Sequence, residues 1–387
     1  MKNVHAAGLI SGLVALFGAA QFAQSADAPA AAPTAAAPAT ASGPVDTIRN
    51  RAIGYVMVSE NRAIYETKDG KKECPQGYND GPREQFKLRN PVEAERTVMN
   101  TRLSFESEVW HPATTPDPLP YYYIQGNTGE GLNLDGKVGP NDFSSPLGEK
   151  GIDNQMYRAI GCTRNFREEG ETSILTPQWR SRARYNTFVI ELTDVDSLAN
   201  DDDVTVTTYR GMDKLIADAT GNSYLPGGTQ TADMVWGKKF VQSFKGKIKD
   251  GVLTTEAKDL WMPTASVYDP RDGGPDTLYR AMRFHLNVAA KSADGYMGGY
   301  ADIESWYYAS NNTRDALHQS YGGTSGPSMY RALMKLADYA PDKNGVNTAI
   351  SAALNVRFTQ VFVRHPDPQV AKAPVDTATT QTAGNRE

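Results

Sequence analysis

The residues 279–290 alternate between large apolar and polar side chains, and this alternation constrains the fold more than any other feature. Met282, Phe284 and Leu286 occupy every second position, with polar side chains such as His285 between them. Because successive side chains of a strand point to opposite faces, this period of two predicts a long strand with one buried face. A chain that contains such a strand must place it in a sheet.

Several other segments have β-branched, aromatic or alternating composition and end at turn residues. Asp250-Gly251 separates two of them and is a strong hairpin signal. The predicted strands lie at 54–59, 63–67, 101–109, 121–124, 187–192, 204–209, 239–244, 246–249, 252–255, 295–308 and 357–363. These segments predict a mainly β protein, and we expect an antiparallel, jelly-roll-like β-sandwich.

Two short helices are predicted near the C-terminus, packed on that sandwich. Pro327 stands in the first turn of a segment whose apolar residues recur at helical spacing, and Pro341 ends the segment. A second short helix is predicted over 345–354.

The two ends of the chain differ in composition from its middle. Residues 1–25 contain one early lysine, an apolar run too short to span a bilayer and small residues at a cleavage position, which predicts a secretory signal peptide. An Ala/Pro-rich tether (26–45), a β-rich domain (46–365) and a disordered tail (366–387) follow. The β-rich domain is expected as one unit or as two subdomains divided near residue 180. No membrane span is expected after signal cleavage.

Charge and cysteine content narrow the class of protein further. Removing residues 1–25 takes away Lys2 and changes the formal net charge from -5 to -6. Without clustered basic residues, this mild acidity argues against nucleic-acid binding. The two cysteines, Cys74 and Cys162, are expected to form one disulfide in an oxidising compartment, and we therefore expect a periplasmic or secreted protein.

A turn-rich run, 131–142, has most of the spacing of a calcium loop. With Gly131 at position one of a twelve-residue loop, Asn133 and Asp135 stand at positions three and five and Asp142 at position twelve. Calcium prefers several oxygen ligands, which alternate residues of a tight loop can direct inward. The first carboxylate is missing, however, and Asp142 is shorter than the usual glutamate. The alternative is an ordinary loop with an Asn-Leu-Asp-Gly turn.

Asp153 stands at the predicted entry of a short helix that follows this run. Its side chain is expected to cap the first helical turn, and the alternative is that it reaches the same ion. A second acidic run contains five aspartates in ten residues, 194–203. Asp194, Asp196 and Asp201 are the candidate ligands there, because so dense a cluster should repel itself without a counter-ion. The alternative is a solvated hairpin loop.

Asp302 and Glu304 are the candidate catalytic pair of the chain. Two residues apart on a predicted strand, they would share one face beside the aromatic residues 306–308, as in a cleft that cleaves glycosidic bonds. The alternative is an outward polar face with core aromatics behind it. The chain has no zinc-ligand histidine spacing, nucleophile elbow, phosphate-binding loop or dinucleotide fingerprint.

Three motifs carry a resemblance to a group of proteins. They are Asn133-Leu134-Asp135-Gly136, the run GIDNQ at 151–155 and the run NDDDVTV at 200–206. In their order and spacing they resemble motifs of uncharacterised secreted or lipid-anchored proteobacterial proteins, over residues 127–365. The chain departs from the lipid-anchored members, because no cysteine follows the leader. The resemblance implies export and β architecture, and it implies no catalytic role.

These observations together predict an exported, non-catalytic binding or envelope-associated module. We expect its stabilisers to be calcium and one disulfide, and its partner to be a glycan or an envelope component. A carbohydrate-active hydrolase or lyase that uses Asp302 and Glu304 is the alternative.

Overall fold

Fifteen strands and three helices carry the fold of the computed structural model, within the residues that it describes. Those residues are 47–79, 104–105, 108–109, 113, 120–170, 187–221, 223–263, 276–311 and 326–366. They belong to one compact unit, Asp46–Glu387. The predicted signal peptide, the tether and the tail after residue 366 lie outside the described residues, as do parts of the predicted strand 101–109.

The strands in chain order are β1 (Ile53–Arg62), β2 (Ser104–Phe105), β3 (Glu108–Val109), β4 (Phe143–Ser144), β5 (Lys150–Ile152), β6 (Thr187–Thr193), β7 (Asp201–Gly211), β8 (Gly228–Thr231), β9 (Ser243–Lys249), β10 (Val252–Thr255), β11 (Lys258–Pro263), β12 (Asp276–Val288), β13 (Ser292–Asp302), β14 (Tyr339–Pro341) and β15 (Asn347–Arg364). The helices are α1 (Gln155–Ile160), α2 (Ile303–Asn311) and α3 (Gly326–Leu336).

Eight of these strands form a closed antiparallel barrel. They pair in the order β1-β6-β7-β9-β10-β12-β13-β15, and β15 pairs again with β1, where Gly54 is opposite Val361. A closed ring leaves none of its strands as a free edge. Strands from both sides of residue 180 take part in it, since β1 lies between β6 and β15.

The prediction of a mainly β, antiparallel protein is confirmed, but the prediction of a sandwich is wrong. Alternation shows which side chains of a strand are buried, and a sandwich and a barrel bury them alike. The pairing of the first strand with the last distinguishes the two folds. That pairing joins residues about three hundred positions apart, as in Gly54 and Val361, and no local pattern encodes it.

Apolar side chains fill the barrel. Tyr55, Phe188, Phe244, Phe284 and Leu354 are each at most 1% exposed and belong to one buried cluster. Burying an aromatic or aliphatic side chain of this kind contributes about 1.5–3 kcal/mol, so the interior dominates the stability of the fold. Strand β12 has the predicted alternation, with His285 and Asn287 exposed between buried neighbours. The predicted hairpin at Asp250-Gly251 is confirmed, and both residues have positive φ.

The first predicted C-terminal helix is confirmed as α3, but the second is wrong. Residues 347–354 belong to β15, which runs for 18 residues. Several alanines in this segment favour a helix locally. Strand β13 pairs with it residue by residue, from Asp302 opposite Ala349 to Ser292 opposite Thr359. These tertiary contacts override the local preference.

The strand predicted over 295–308 is correct only as far as Asp302, because α2 begins at Ile303. Asp302 accepts a hydrogen bond from the Ser305 backbone N–H at 2.9 Å, the geometry of a helix N-cap. Ile303, Trp306 and Tyr307 are at most 3% exposed and repeat at helical spacing. The helix therefore packs its apolar face on the barrel.

The predicted disulfide between Cys74 and Cys162 is confirmed, with Cα atoms 5.7 Å apart. It lies in a second buried cluster, which also contains Ile124, Phe143 and Tyr157. This cluster joins α1 to the segments before and after it and holds them beside the barrel. Among the described helices, none is both long and apolar enough to cross a bilayer.

Candidate functional site

A groove at one rim of the barrel gathers three of the sequence-predicted acidic residues. The groove consists of two adjoining cavities, and the first has a volume of about 370 Å³. The cavity lies between the turn-rich loop, the start of α1, the end of β13 and the chain after α3. Its charged and aromatic lining residues are Asp135, Asp142, Asp153, Arg158, Tyr300, Lys335 and Asp338.

Backbone contacts with the turn-rich loop place Asp153 in this cavity. Leu132 forms a β-bridge with Asp153, and the Asp153 Oδ2 atom accepts hydrogen bonds from the N–H groups of Leu134 at 2.6 Å and Asp135 at 3.3 Å. The predicted helix cap is wrong by one residue, since Asn154 accepts from the Tyr157 N–H at 3.1 Å. Asp153 instead ties the turn-rich loop to α1.

Asp153 is buried, with 9% of its surface exposed. Desolvation raises the pKa of this carboxyl, the N–H groups of Leu134 and Asp135 oppose the rise, and the charges of Asp142 and Asp135 add to it. Asp153 thus shares one cavity with Asp135 and Asp142 of the turn-rich loop.

The other predicted calcium ligands of this loop make local hydrogen bonds. Asn133 accepts from the Gly136 N–H at 2.7 Å and donates to the Lys137 carbonyl at 2.8 Å. Asp135 accepts from the Lys137 N–H at 2.8 Å, and Asp142 accepts from a backbone N–H of its own turn. These are the turn-stabilising bonds that Asn and Asp side chains commonly make.

No group of three or more potential ligand side chains is close enough to hold a metal ion among the described residues. Calcium binding stays a prediction. Calorimetric titration of chelator-treated protein with Ca²⁺ tests it, because binding heat and a higher melting temperature are expected if the loop takes the ion.

Asp338 is a second important acid of the groove, and sequence reasoning missed it. The residue is exposed, but its carboxyl is hydrogen-bonded to Ser351, and desolvation raises its pKa to about 6. Hydrogen bonds from Ser351 oppose that rise, and the negative charge of Asp153 adds to it. The Ser351 N–H donates to Asp338 Oδ1 at 2.7 Å, while the Ser351 Oγ atom accepts from the Gln155 N–H at 2.9 Å. Ser351 thus fixes Asp338 relative to α1.

A second cavity, of about 470 Å³, adjoins the first and shares Asp338 with it. It is lined by Asp259, Arg280, Asp338, Tyr339, Ala340, Pro341 and Asn347. Tyr300 of the first cavity and Tyr339 of the second stack with ring centroids 4.0 Å apart and an angle of 13° between the rings. We call the two cavities together the rim groove. Asp338 and this tyrosine pair stand where its two halves meet.

The tyrosines differ in exposure. Tyr339 is 40% exposed, whereas Tyr300 is 6% exposed. The pKa of Tyr300 is raised by burial first, and then by the negative charges of Asp153, Asp338 and Asp135. The three acids and Tyr300 line the same cavity.

The two basic residues of the groove have different surroundings. Arg158 donates to the carbonyls of Ile124, Gly126 and Asn141, and its guanidinium lies 4.2 Å from the centre of the Phe143 ring. Arg158 therefore stabilises the backbone segments that line the first cavity. Lys335 is exposed, with its ammonium 4.9 Å from the centre of the Tyr123 ring, and is better placed to meet a ligand.

The second acidic run lies at the other end of the barrel. Asp194 follows β6, and its carbonyl accepts from Arg51, which precedes β1. Gly54 of β1 pairs with Val361 of β15, ten residues after Ser351, which is on the order of 30 Å along a strand. The two acidic regions therefore do not converge on one composite site.

Asp194, Asp196 and Asp201 belong to a hairpin loop that supplies its own partners. Asp201 accepts from the Asp196 N–H at 2.6 Å, and Asp196 forms an ion pair with Arg51 at 3.0 Å. Asp203 pairs with Lys245 at 2.8 Å. The loop thus has cationic side chains as counter-ions.

Asp302 and Glu304 do not share a strand face, so the expected geometry of the catalytic pair is wrong. Asp302 ends β13 and caps α2, whereas Glu304 lies in the first turn of the helix and hydrogen-bonds the Tyr330 hydroxyl. The change from strand to helix after residue 302 turns their side chains in different directions.

The residues that sequence reasoning missed lie far apart in the chain. Tyr300 is in β13, while Asp338 and Tyr339 follow α3. One weak signal was present, because an acid just after a helix is disfavoured by the negative end of the helix dipole. Sequence reasoning placed Asp338 inside a longer helix instead.

These observations define a class: a closed antiparallel β-barrel protein with an acidic, tyrosine-containing groove at one rim and a disulfide-linked cluster beside it. Comparisons with family models, with curated proteins and with solved structures found no match to this chain.

Proposed function

We propose that this protein is an exported, envelope-associated binding module that takes a saccharide in the rim groove. The observation that carries the proposal is the stacked pair of Tyr300 and Tyr339 where two cavities meet. Sugar rings have apolar C–H faces that pack on aromatic rings, and their hydroxyls need hydrogen-bond partners at the edges. The groove offers both.

The charged residues around the tyrosines support the choice of ligand. Asp153 and Asp338 can accept hydrogen bonds from a ligand, whereas Lys335 and Arg280 can donate them. Hydrogen bonds to charged groups are stronger than those between neutral groups, and fixed partners lower the cost of ordering a ligand. A mixture of donors and acceptors suits a polyhydroxylated molecule, because each hydroxyl can both donate and accept.

Calorimetric titration with a panel of oligosaccharides tests this proposal. Replacing Tyr339 with alanine is expected to weaken binding on the order of tenfold, which corresponds to about 1.4 kcal/mol. Tyr308→Ala is the matched control, because Tyr308 is 62% exposed on α2 and does not line the groove. Saccharide binding that both variants keep would reject the groove, and an absence of binding to the whole panel would reject the ligand class.

Export is the second component of the proposal. The apolar leader of residues 1–25 supports it, and so does the disulfide, because such bonds persist in oxidising compartments. Fractionation of the expressing cells and N-terminal sequencing of the mature protein test this component. The mature chain is expected outside the cytoplasm and to begin near residue 26. A full-length cytoplasmic chain would contradict it.

A further inference from the structure

We infer that the hydroxyl of Tyr300 selects the saccharide of the rim groove by hydrogen-bonding one of the sugar hydroxyls. The inference rests on the proposed saccharide binding and names the group of the site that discriminates between sugars. It gives Tyr300 a second role beside its stacking on Tyr339.

The first observation is a buried hydroxyl without a hydrogen bond. Tyr300 is 6% exposed, yet its hydroxyl forms no hydrogen bond with any of the described residues. The hydroxyl oxygen still remains accessible to solvent, and Tyr300 lines the first cavity of the groove. A largely buried polar group that lacks a partner carries an uncompensated desolvation cost. A polar group of a ligand in this cavity would remove that cost.

Other buried tyrosines form their hydrogen bonds within the protein. Tyr55 donates to the Ala289 carbonyl at 2.9 Å, and Tyr157 donates to the Tyr65 carbonyl at 2.9 Å. Tyr279 likewise has no partner among the described residues, but it lies in the barrel interior and lines neither cavity of the groove. The tyrosine of the first cavity therefore differs from these three, because its hydroxyl is both unpaired and within reach of a ligand.

The neighbours of this hydroxyl indicate which ligand group it would bind. Asp135, Asp153 and Asp338 line the same cavity, and none of them hydrogen-bonds the tyrosine. An ionised carboxylate only accepts hydrogen bonds, whereas the tyrosine hydroxyl also has a proton to donate. A sugar hydroxyl can accept that proton and donate its own to a carboxylate, so it suits both neighbours. An ammonium group would offer the tyrosine proton no acceptor.

Packing fixes the position of the Tyr300 ring. The ring stacks on Tyr339 with centroids 4.0 Å apart and belongs to a buried cluster with Leu134 and Ala349. A hydroxyl that is held in this way cannot follow a ligand, and a sugar without the matching group leaves it unpaired. A site built around such a hydrogen bond rejects the analogue that lacks it.

Backbone strain beside the ring is an independent sign of a functional site. Ala281 and Ala340 pack against the same cluster, and their φ angles are 47° and 54°. In this left-handed region the Cβ atom of alanine has a steric cost that glycine would avoid. Strain of this kind persists where the surrounding structure holds it, and it gathers at ligand sites.

The test is calorimetric titration of the full chain with defined sugars. The probes are methyl β-cellobioside, β-xylobioside, β-mannobioside and β-chitobioside, each as the parent sugar and as its monodeoxy forms. Tyr300→Phe removes the oxygen and keeps the ring, so the melting temperature should not fall. We expect this variant to bind the parent sugar about tenfold more weakly than the wild type does, as the loss of one hydrogen bond predicts.

The monodeoxy sugars distinguish a direct contact from a change in the shape of the groove. One deoxy form should bind the wild type about as weakly as the parent sugar binds Tyr300→Phe. That form should bind the wild type and the variant alike, within about twofold, because both changes remove the same hydrogen bond.

Tyr279→Phe is the matched control. It also removes a tyrosine hydroxyl that has no partner among the described residues, but it does so away from the groove. Its Kd for every probe should equal that of the wild type. An equal loss of affinity in Tyr279→Phe and Tyr300→Phe would contradict a contact at the groove.

The outcomes separate this inference from the proposed function. Equal binding of the parent sugar by Tyr300→Phe and the wild type overturns the role of the hydroxyl and leaves the binding module intact. Losses that add in every deoxy form overturn the direct contact. A panel of which no member binds the wild type overturns both the inference and the proposed ligand.

Discussion

The two acidic regions of this barrel look alike in sequence and differ in structure. The groove brings together Asp135 and Asp142 of the turn-rich loop, Asp153 at the start of α1 and Asp338 from after α3. In the hairpin loop at the other end, Asp201 accepts a hydrogen bond from the Asp196 backbone. Asp196 and Asp203 form ion pairs with Arg51 and Lys245.

The two regions differ in how strongly their carboxyl groups are desolvated. A cluster of acids in solvent neutralises itself with backbone N–H groups and mobile cations, as the hairpin loop does. In the groove, desolvation raises the pKa of Asp153, which is buried, and of Asp338, which is exposed but hydrogen-bonded to Ser351. Perturbed acids in a cleft are the better candidates for function.

Removing the disulfide should have the largest effect, and it should affect the groove end most. The double variant Cys74→Ser, Cys162→Ser is expected to lose about 2–5 kcal/mol of stability, since the bond closes a separation of 88 residues. Urea denaturation measures the loss. Hydrogen exchange should speed up in α1 more than in β6 and β7. An unchanged urea midpoint would show that the buried cluster alone holds this region.

The next test compares one acid from each region. Asp153→Ala leaves two backbone N–H groups without their acceptor in a buried place, which should cost about 1–3 kcal/mol. Asp201→Ala also removes an acceptor of backbone N–H groups, but water can replace it there, and the cost should stay below about 1 kcal/mol. Thermal melting of both variants measures the difference. Equal losses would contradict the contrast in desolvation.

The two regions should also respond to pH with opposite signs. The folded-state pKa of Asp338 is raised from 3.8 to about 6, so its favourable contribution is present below pH 4 and is lost as the pH rises through 6. Asp338→Asn should therefore stabilise the protein at pH 7.5, by at most about 1 kcal/mol after allowance for solvent exposure.

Asp201 should behave in the reverse way. Desolvation tends to raise the pKa of this carboxyl, but the N–H groups of Asp196, Asp203 and Ser197 bring it below 3.8. Its contribution is present above pH 4 and is lost as the pH falls through the lowered value. Urea midpoints of Asp338→Asn and Asp201→Asn, measured from pH 3 to 8, test both signs. Parallel curves for the two variants would contradict this prediction.

The smallest effect is expected for the exposed ion pair of the hairpin loop. The side chains of Arg51 and Asp196 are 58% and 71% exposed, and pairs of this kind contribute about 0–1 kcal/mol. Replacing Arg51 with methionine should shift the melting temperature slightly at low salt and by less at 1 M NaCl, where the Debye length is about 3 Å. A large shift that persists at high salt would mean that the loop is more desolvated than the structure indicates.

Part of the fold and site followed from sequence because it depends on neighbours in the chain. The alternation in β12, the turn at Asp250-Gly251 and the pairing of the only two cysteines are of this kind. The sequence also singled out Asp135, Asp142 and Asp153, which lie within twenty residues of one another and line one cavity, while their binding of calcium stays a prediction. Their detailed roles were not predicted, because the hydrogen bonds of Asp153 depend on how the loop folds back onto β5.

What the sequence by itself determined is therefore the β class, the disulfide and part of the group of acids that lines the rim groove. Tertiary structure decided that the sheet closes into a barrel, that residues 347–354 extend a strand, and that Asp338 and Tyr339 meet Asp153 and Tyr300. The physical reason is the distance along the chain over which each interaction acts. Side-chain periodicity, turn chemistry and cysteine pairing act through the residues themselves, whereas closure and the groove come from contacts between segments that only the folded chain brings together.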